Sequence, residues 1–119
     1  MLWSEFLLGW VPDDKGRRPA YVIGLSTDQK RVLVFVGTGT ARLDWPHVLI
    51  EPIRREGMVL KLSKPTYFYA RNTRLVSVGD FDRAAQCGAA LRARFATLTE
   101  SIPDSIYELL GVKRGTIEG

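Results

Sequence analysis

Three observations on this 119-residue sequence predict an α+β fold, a small antiparallel β-barrel followed by a long C-terminal amphipathic helix and a short helix. Short apolar or alternating runs rich in Val, Ile, Tyr and Phe recur up to Val78 at the roughly ten-residue spacing of small barrels and sandwiches. From Asp80 the apolar period changes to the three- and four-residue intervals of a helix. The length and a hydrophobic content of 45% suit one domain with one core. That domain is read as 1–119, with a barrel body over 6–78, a helical part over 80–111 and a flexible tail over 112–119.

Strands are predicted at Glu5–Val11, Tyr21–Leu25, Arg31–Val36, His47–Ile53, Met58–Leu62, Thr66–Ala70 and Arg74–Val78. "STDQK" at Ser26–Lys30 lies between two apolar runs and predicts a hairpin loop. Phe81, Ala84, Ala85, Gly88, Leu91, Phe95 and Leu98 share one helical face, with Arg83, Gln86, Arg92 and Arg94 on the other. Asp80, after Gly79, is the expected N-cap of that long helix. A short helix is expected over Pro103–Leu110, with proline in its first turn and Gly111 as its stop. The tail "VKRGTIEG" is polar and Gly-rich, and is expected to fray.

Composition narrows the chemistry. A net charge of +4 permits binding to nucleic acid or another polyanion. Cys87 is the single cysteine, so an intrachain disulfide is impossible, as suits a reducing cytoplasm, where the protein is expected. With His47 as the single histidine no Cys/His zinc cluster can form, and neither a metal site nor a cofactor is expected. "MLWSEFLLGW" is short, contains Glu5 and lacks a basic start, so it reads as neither signal peptide nor membrane span. The sequence carries no GxxxxGK[ST], HExxH or GxSxG motif and no dinucleotide fingerprint.

The positive signals are basic and aromatic. Arg17, Arg18, Arg54, Arg55, Lys61, Lys64, Arg71 and Arg74 fall at predicted strand ends and in the loops between them, which would give the barrel a cationic rim for a phosphate backbone. "GRRPAY" puts two of these arginines directly before a buried run. In "VGTGTA" (Val36–Ala41) Thr38 and Thr40 can present hydroxyls, although a plain turn is the simpler reading. Tyr67 and Tyr69 share a strand face opposite Phe68; exposed they would stack single-stranded bases, buried they would be core. His47 suits a structural hydrogen bond better than a catalytic base. Asp13 and Asp14, in a Pro-Asp-Asp turn, are expected to cap it or face solvent.

The segments "FLLGWVPDDKGRRPAYVIGL", "RVLVFVGTGTA" and "EGMVLKLSKPTYFYARNTRLVSV", spanning Phe6 to Val78, resemble the MazF/PemK (Kid-like) toxin family of type II toxin–antitoxin systems. The resemblance implies an SH3-like barrel, a homodimer, and a cognate antitoxin whose acidic, disordered segment covers the active groove. It also implies metal-independent cleavage of single-stranded RNA: the 2′-hydroxyl attacks the adjacent phosphate, leaving a cyclic phosphate and a free 5′-hydroxyl. By position Arg18 would stabilise the phosphorane and Thr38 would hold a phosphate oxygen, with Thr40 replacing it if the loop aligns two residues later. Arg17, Arg54, Arg55, Lys61, Lys64, Tyr67, Tyr69 and Arg71 are the expected RNA-binding set. This chain departs from relatives that place an Arg and an Asp on the later strand, since "TYFYA" has neither and Arg71 is the nearest arginine. The N-terminal "WSEFLLGW" also lacks the usual Gly-Asp/Glu beginning. The alternative is a non-catalytic SH3-like barrel module, a gyrase-directed toxin or a partner- or nucleic-acid-binding domain. Arg18 and a threonine of Val36–Ala41 should converge on one phosphate-sized site if the protein is an enzyme. Arg18 pairing with Asp13 or Asp14 on the surface would remove most of that support.

Overall fold

The computed structural model describes residues 7–14, 16–109 and 111–114. The continuous apolar runs form two central strands, β2 (Gly16–Ser26) and β3 (Arg31–Thr38), joined by the predicted hairpin. Within that hairpin the Asp28 carboxylate accepts from Ser26 Oγ at 2.6 Å and from the Lys30 N–H at 3.0 Å. β1 (Leu7–Asp13) pairs with the first half of β2; Glu5 and Phe6 of the predicted first strand lie outside the described residues. β5 (Thr66–Ser77) flanks β3 on its other side, and β4 (His47–Ile50) lies along the start of β5. With β6 (Asp82–Gln86) beside β1, the antiparallel order among the described residues is β4-β5-β3-β2-β1-β6, a mostly antiparallel half-barrel.

Both faces of β2 and β3 are covered, which is why their sequences run apolar without alternation. Tyr21, Ile23, Leu33 and Phe35 point one way, onto Val48, Phe68 and the helix α2 (Ala89–Thr99) with its Leu91, Phe95 and Leu98. Ala20, Val22, Val32, Val34 and Val36 point the other way, onto Leu7, Val11 and Phe81. Phe95 centres the first cluster, stacked on Tyr21 with centroids 3.8 Å apart and edge-on to Phe68 at 5.3 Å. The short helix α3 (Asp104–Leu109) follows, and Gly111, with φ of 65°, ends it by donating to Glu108 O at 3.0 Å. Leu110, the last residue of that predicted helix, lies outside the described residues.

Four expectations are corrected. The long helix from Asp80 is instead a 3₁₀ turn (Val78–Asp80), β6 and then α2, so its N-cap is Gly88 and not Asp80. Long-range pairing with the open edge of β1 overrides the local period, and Gly9 permits it by letting Asp82 O approach where a Cβ would stand. Met58–Leu62 is not a strand: its first residues close the helix α1 (Arg55–Val59), which leaves Met58 exposed and Leu60 buried. The stretches Thr66–Ala70 and Arg74–Val78 are not two strands but, up to Ser77, one strand, bulged where Tyr69–Asn72 face the single residue Val36, and Val78 opens the 3₁₀ turn. The tail is not wholly frayed, since β7 (Val112–Arg114) pairs with Gly24–Ser26 of β2; residues 115–119 lie outside the described residues. Among the described residues no helix is long and apolar enough to cross a membrane.

Candidate functional site

The site opens where β2 and β3 part. Their ladder runs to the pair Ala20–Val36 and stops; the next β2 residue, Pro19, brings no N–H to either neighbour. β3 keeps its other partner, β5, past this point, pairing Gly37 with Phe68 and Thr38 with Tyr67. Carried two residues on, the β2–β3 register sets Arg18 across from Thr38. Two clefts meet there, and Asp13, Arg18 and Thr38 line both. One, of about 260 Å³, lies toward Arg17, Lys61 and Lys64. The other, of about 530 Å³, lies toward Arg42, Trp45, Arg71 and Arg74.

Arg18 does not stand free. Its Nε donates to Asp13 Oδ2, while Asp13 Oδ1 lies 3.7 Å from Arg74 Nη2 and Arg74 Nη1 donates to Pro12 O at 2.9 Å. Arg18 and Thr38 thus line the same two clefts, while Arg18 also makes the pair with Asp13 that weighs against the enzyme reading. That pair sits in the wall between the clefts, with the Asp13 side chain 15% exposed and that of Arg18 36% exposed. The hydrogen bond from Arg18 first, then the Asp14 backbone, hold the Asp13 carboxyl below the usual carboxylate range. Asp14 is an exposed turn residue.

Thr38 Oγ1 accepts from the Thr40 N–H at 3.3 Å, which leaves the hydroxyl proton to be donated elsewhere. Thr40 shares only the larger cleft with Arg18, whereas Thr38 shares both. Gly37 is no ligand gap: a Cβ there would lie 2.5 Å from Thr66 Cγ2 and 3.0 Å from the Phe68 ring. The Lys64 side chain lies along Gly39, which brings its ammonium to the "GTGT" turn.

The other sequence candidates divide. Lys61 and Lys64 line the smaller cleft and Arg71 the larger. Arg17 lines the smaller cleft but is bound to Asp82 at 2.5 Å and lies over Trp10 at 5.4 Å. Arg54 precedes α1 and is exposed, and Arg55 donates to Gln86 O at 3.2 Å; neither lines these clefts. Tyr69 is a correction to the stacking idea. It is 2% exposed, and its hydroxyl donates to Thr40 O at 2.6 Å and accepts from the Arg42 N–H at 2.5 Å. It pins the loop beyond β3. Tyr67 is half-buried, parallel to Tyr69 at 6.2 Å, and His47 donates from Nδ1 to Trp45 O at 2.7 Å in a structural role. Cys87 is buried, and burial pushes its thiol up to about 12, which makes it a poor nucleophile.

Sequence reading missed Asp13, Arg42, Trp45, Asn72 and Arg74 as a group. Arg74 was on view as a strand-end cation, but it sits inside β5 and faces Asp13 from more than 60 residues away in sequence. Asn72 Nδ2 bonds Val36 O at 2.9 Å, across the bulge. No local pattern announces that partnership. Among the described residues no group of three or more His, Cys, Asp and Glu is placed to hold a metal ion.

A mostly antiparallel half-barrel, opened where the ladder between its two central strands stops, is the class of fold that frames these clefts. The solved structure of the Mycobacterium tuberculosis toxin MazF-mt6 superimposes on it with a TM-score of 0.62 at 17% sequence identity, covering 80% of this chain and 93% of that one. The fold is thus MazF-like. No protein-family model matches the chain, and no curated protein matches it by sequence.

Proposed function

We propose that this protein is a toxin-like endoribonuclease that binds single-stranded RNA across the two clefts and cleaves it at the Arg18–Thr38 junction without a metal. The observation that carries this reading is charge. Among the described residues, seven basic side chains and one acidic side chain line the clefts, a local excess of +6 in a chain of net charge +4. A single strand threaded through would meet cations on both sides of Thr38. At the junction the 2′-hydroxyl attacks the adjacent phosphate and the P–O5′ bond breaks to leave a 2′,3′-cyclic phosphate, while Arg18 stabilises the charge on the phosphorane and the Thr38 hydroxyl donates to a non-bridging oxygen. Among the described residues Asp13 is the one carboxylate lining either cleft; it takes the 2′-hydroxyl proton, and solvent water supplies a proton to the departing 5′-oxygen. Held below its usual range, it is a weak base, so most of the acceleration falls to the electrostatics of Arg18. The same cationic track suits the acidic, disordered segment of a cognate antitoxin. Ile53, Met58 and Val59, exposed around α1, offer apolar surface to that partner or to a second copy in a homodimer.

A second reading draws on the Arg18–Asp13 pair itself. A guanidinium already neutralised suits a barrel that binds RNA or a protein without cutting it. The two readings separate on incubation of a long unstructured RNA with wild type and Arg18→Ala in the presence of chelator. Cleavage leaving cyclic phosphate and 5′-hydroxyl ends is expected for wild type, and at least about a hundredfold less for the variant, with an unchanged circular dichroism spectrum. Binding of an uncleavable oligonucleotide by a wild type that cuts nothing would establish the binding module instead.

A further inference from the structure

We propose that the larger cleft is a nucleobase subsite, in which the base next to the Arg18-bound phosphate lies on Trp45 and is read by Arg71 and Arg42, guanine above the other bases. This rests on the RNA reading given above and adds the residues that choose where the strand is cut.

Trp45 belongs to neither buried cluster of the core, yet it is held in place. Its N–H donates to Arg42 O at 3.0 Å, its carbonyl accepts from His47 Nδ1 at 2.7 Å, and its ring stands edge-on to Tyr69 at 5.4 Å. The half-buried indole thus forms a rigid wall of a cleft of about 530 Å³, inside the roughly 300–1,000 Å³ range of small-molecule clefts. Two guanidiniums gather on it, Arg71 at 4.5 Å and Arg42 at 5.3 Å from the ring centroid. Among the described residues neither forms an ion pair, unlike Arg17, Arg18, Arg55 and Arg74. Arginines laid on an aromatic face and lacking a carboxylate present their N–H forks to an incoming acceptor.

The ligand class follows from those groups. An aromatic wall with guanidinium planes stacks any base, and a guanidinium fork favours the base with two acceptors side by side, the O6 and N7 of guanine. Asn72 narrows the choice further: its Nδ2 is engaged by Val36 O, so its Oδ1 is the end that can accept from a base amine. Placement supports the same reading, because Arg18 and Thr38 line this cleft as well as the smaller one, which sets Trp45 beside the reacting phosphate.

The test uses 2′-O-methyl pentanucleotides that differ only in one central base, G, A, C or U, with binding followed by fluorescence anisotropy. Wild type should bind the G oligonucleotide about tenfold more tightly than the others. Trp45→Ala should weaken all four about tenfold, and Trp45→Phe should recover most of that loss. Arg71→Gln, at an exposed position, should flatten the ranking of bases, whereas Arg18→Ala should weaken binding and leave the ranking intact. Because Trp45 packs on Tyr69, thermal midpoints accompany each variant, and Arg71→Gln keeps the test valid if Trp45→Ala is unstable. Equal binding of the four bases by wild type, together with no effect of either substitution, overturns the subsite; if Arg18→Ala still abolishes cleavage, the RNA reading stands without it. Failure of wild type to bind any of the oligonucleotides overturns both. Loss of binding to a polyglutamate peptide by Trp45→Ala, with oligonucleotide binding intact, overturns the subsite and assigns the cleft to an acidic protein.

Discussion

Asp13 converts Arg18 from a mobile surface cation into an aimed one. The carboxylate takes the guanidinium Nε, which leaves the two terminal nitrogens for the phosphate of the proposed function, and Arg74 steadies the carboxylate from the other side. Asp13→Asn should therefore have opposed effects. Removing a negative charge from the cleft should tighten binding of an uncleavable oligonucleotide several-fold, while cleavage slows because the proton acceptor is lost and Arg18 is less well oriented. A fall in both binding and cleavage would show that Asp13 only holds the fold. The pH dependence has a definite sign. The folded Asp13 carboxyl titrates below the unfolded value of 3.8, so the pair is fully formed above that value and is lost as pH falls through the depressed one. Arg18 should stay clamped from neutral pH down to about pH 4, so cleavage measured from pH 7 to pH 5 should show no step from this pair.

At the scale of elements, the join between α1 and α2 rests on one carboxylate. Glu56, 5% exposed, accepts the N–H of Gly88, the N-cap residue of α2, at 2.8 Å and so ties the start of that helix to one more than 30 residues earlier. Burial works to raise its pKa, but the hydrogen bonds from Gly88 and from its own backbone, with the Arg55 and Arg54 charges, outweigh that and hold it below 4.5. Glu56→Ala should destabilise the protein by about 1 kcal/mol, the low end of the range for leaving a donor unsatisfied because the Gly88 N–H is part-buried, read as a shift of the urea midpoint. In wild type this contribution is present above pH 4.5 and fades as pH falls through the lowered value; an acid titration of stability that is identical in Glu56→Ala would refute it. The same contact marks where sequence reading ran out. The runs "YVIGL" and "VLVFV" and the hairpin between them were legible, because continuous apolar residues and a Ser-Thr-Asp turn act locally. The short helix stopped by Gly111 was legible for the same reason. "DRAAQ" was not, because its alanines fit a helix until the open edge of β1 pairs with them. Arg18 and Thr38 could be nominated from their neighbours in sequence, but Asp13, Asn72 and Trp45 acquire roles only once the strands are registered.

Over the whole molecule, charge is segregated more sharply than the composition shows. Of the 17 Lys and Arg residues seven line the two clefts, and of the 13 Asp and Glu residues only Asp13 does so among the described residues. The exposed Arg94 lies instead on α2, outside the cleft-lining set. If the clefts form one polyanion track, affinity must depend on salt through those residues and not through net charge. A single strand releases about 0.7 counterions per phosphate neutralised, so contact with three phosphates gives a slope near −2 in log affinity against log salt. Lys64→Gln should reduce the steepness of that slope by about 0.7, whereas Arg94→Gln, an equal change in net charge, should leave it within error. Equal effects of the two substitutions would mean that the protein attracts RNA by its overall charge and that the track between β2 and β3 has no special part in binding. Unequal effects would locate the polyanion at the break in the ladder that Pro19 begins, where Arg18 and Thr38 line the same clefts.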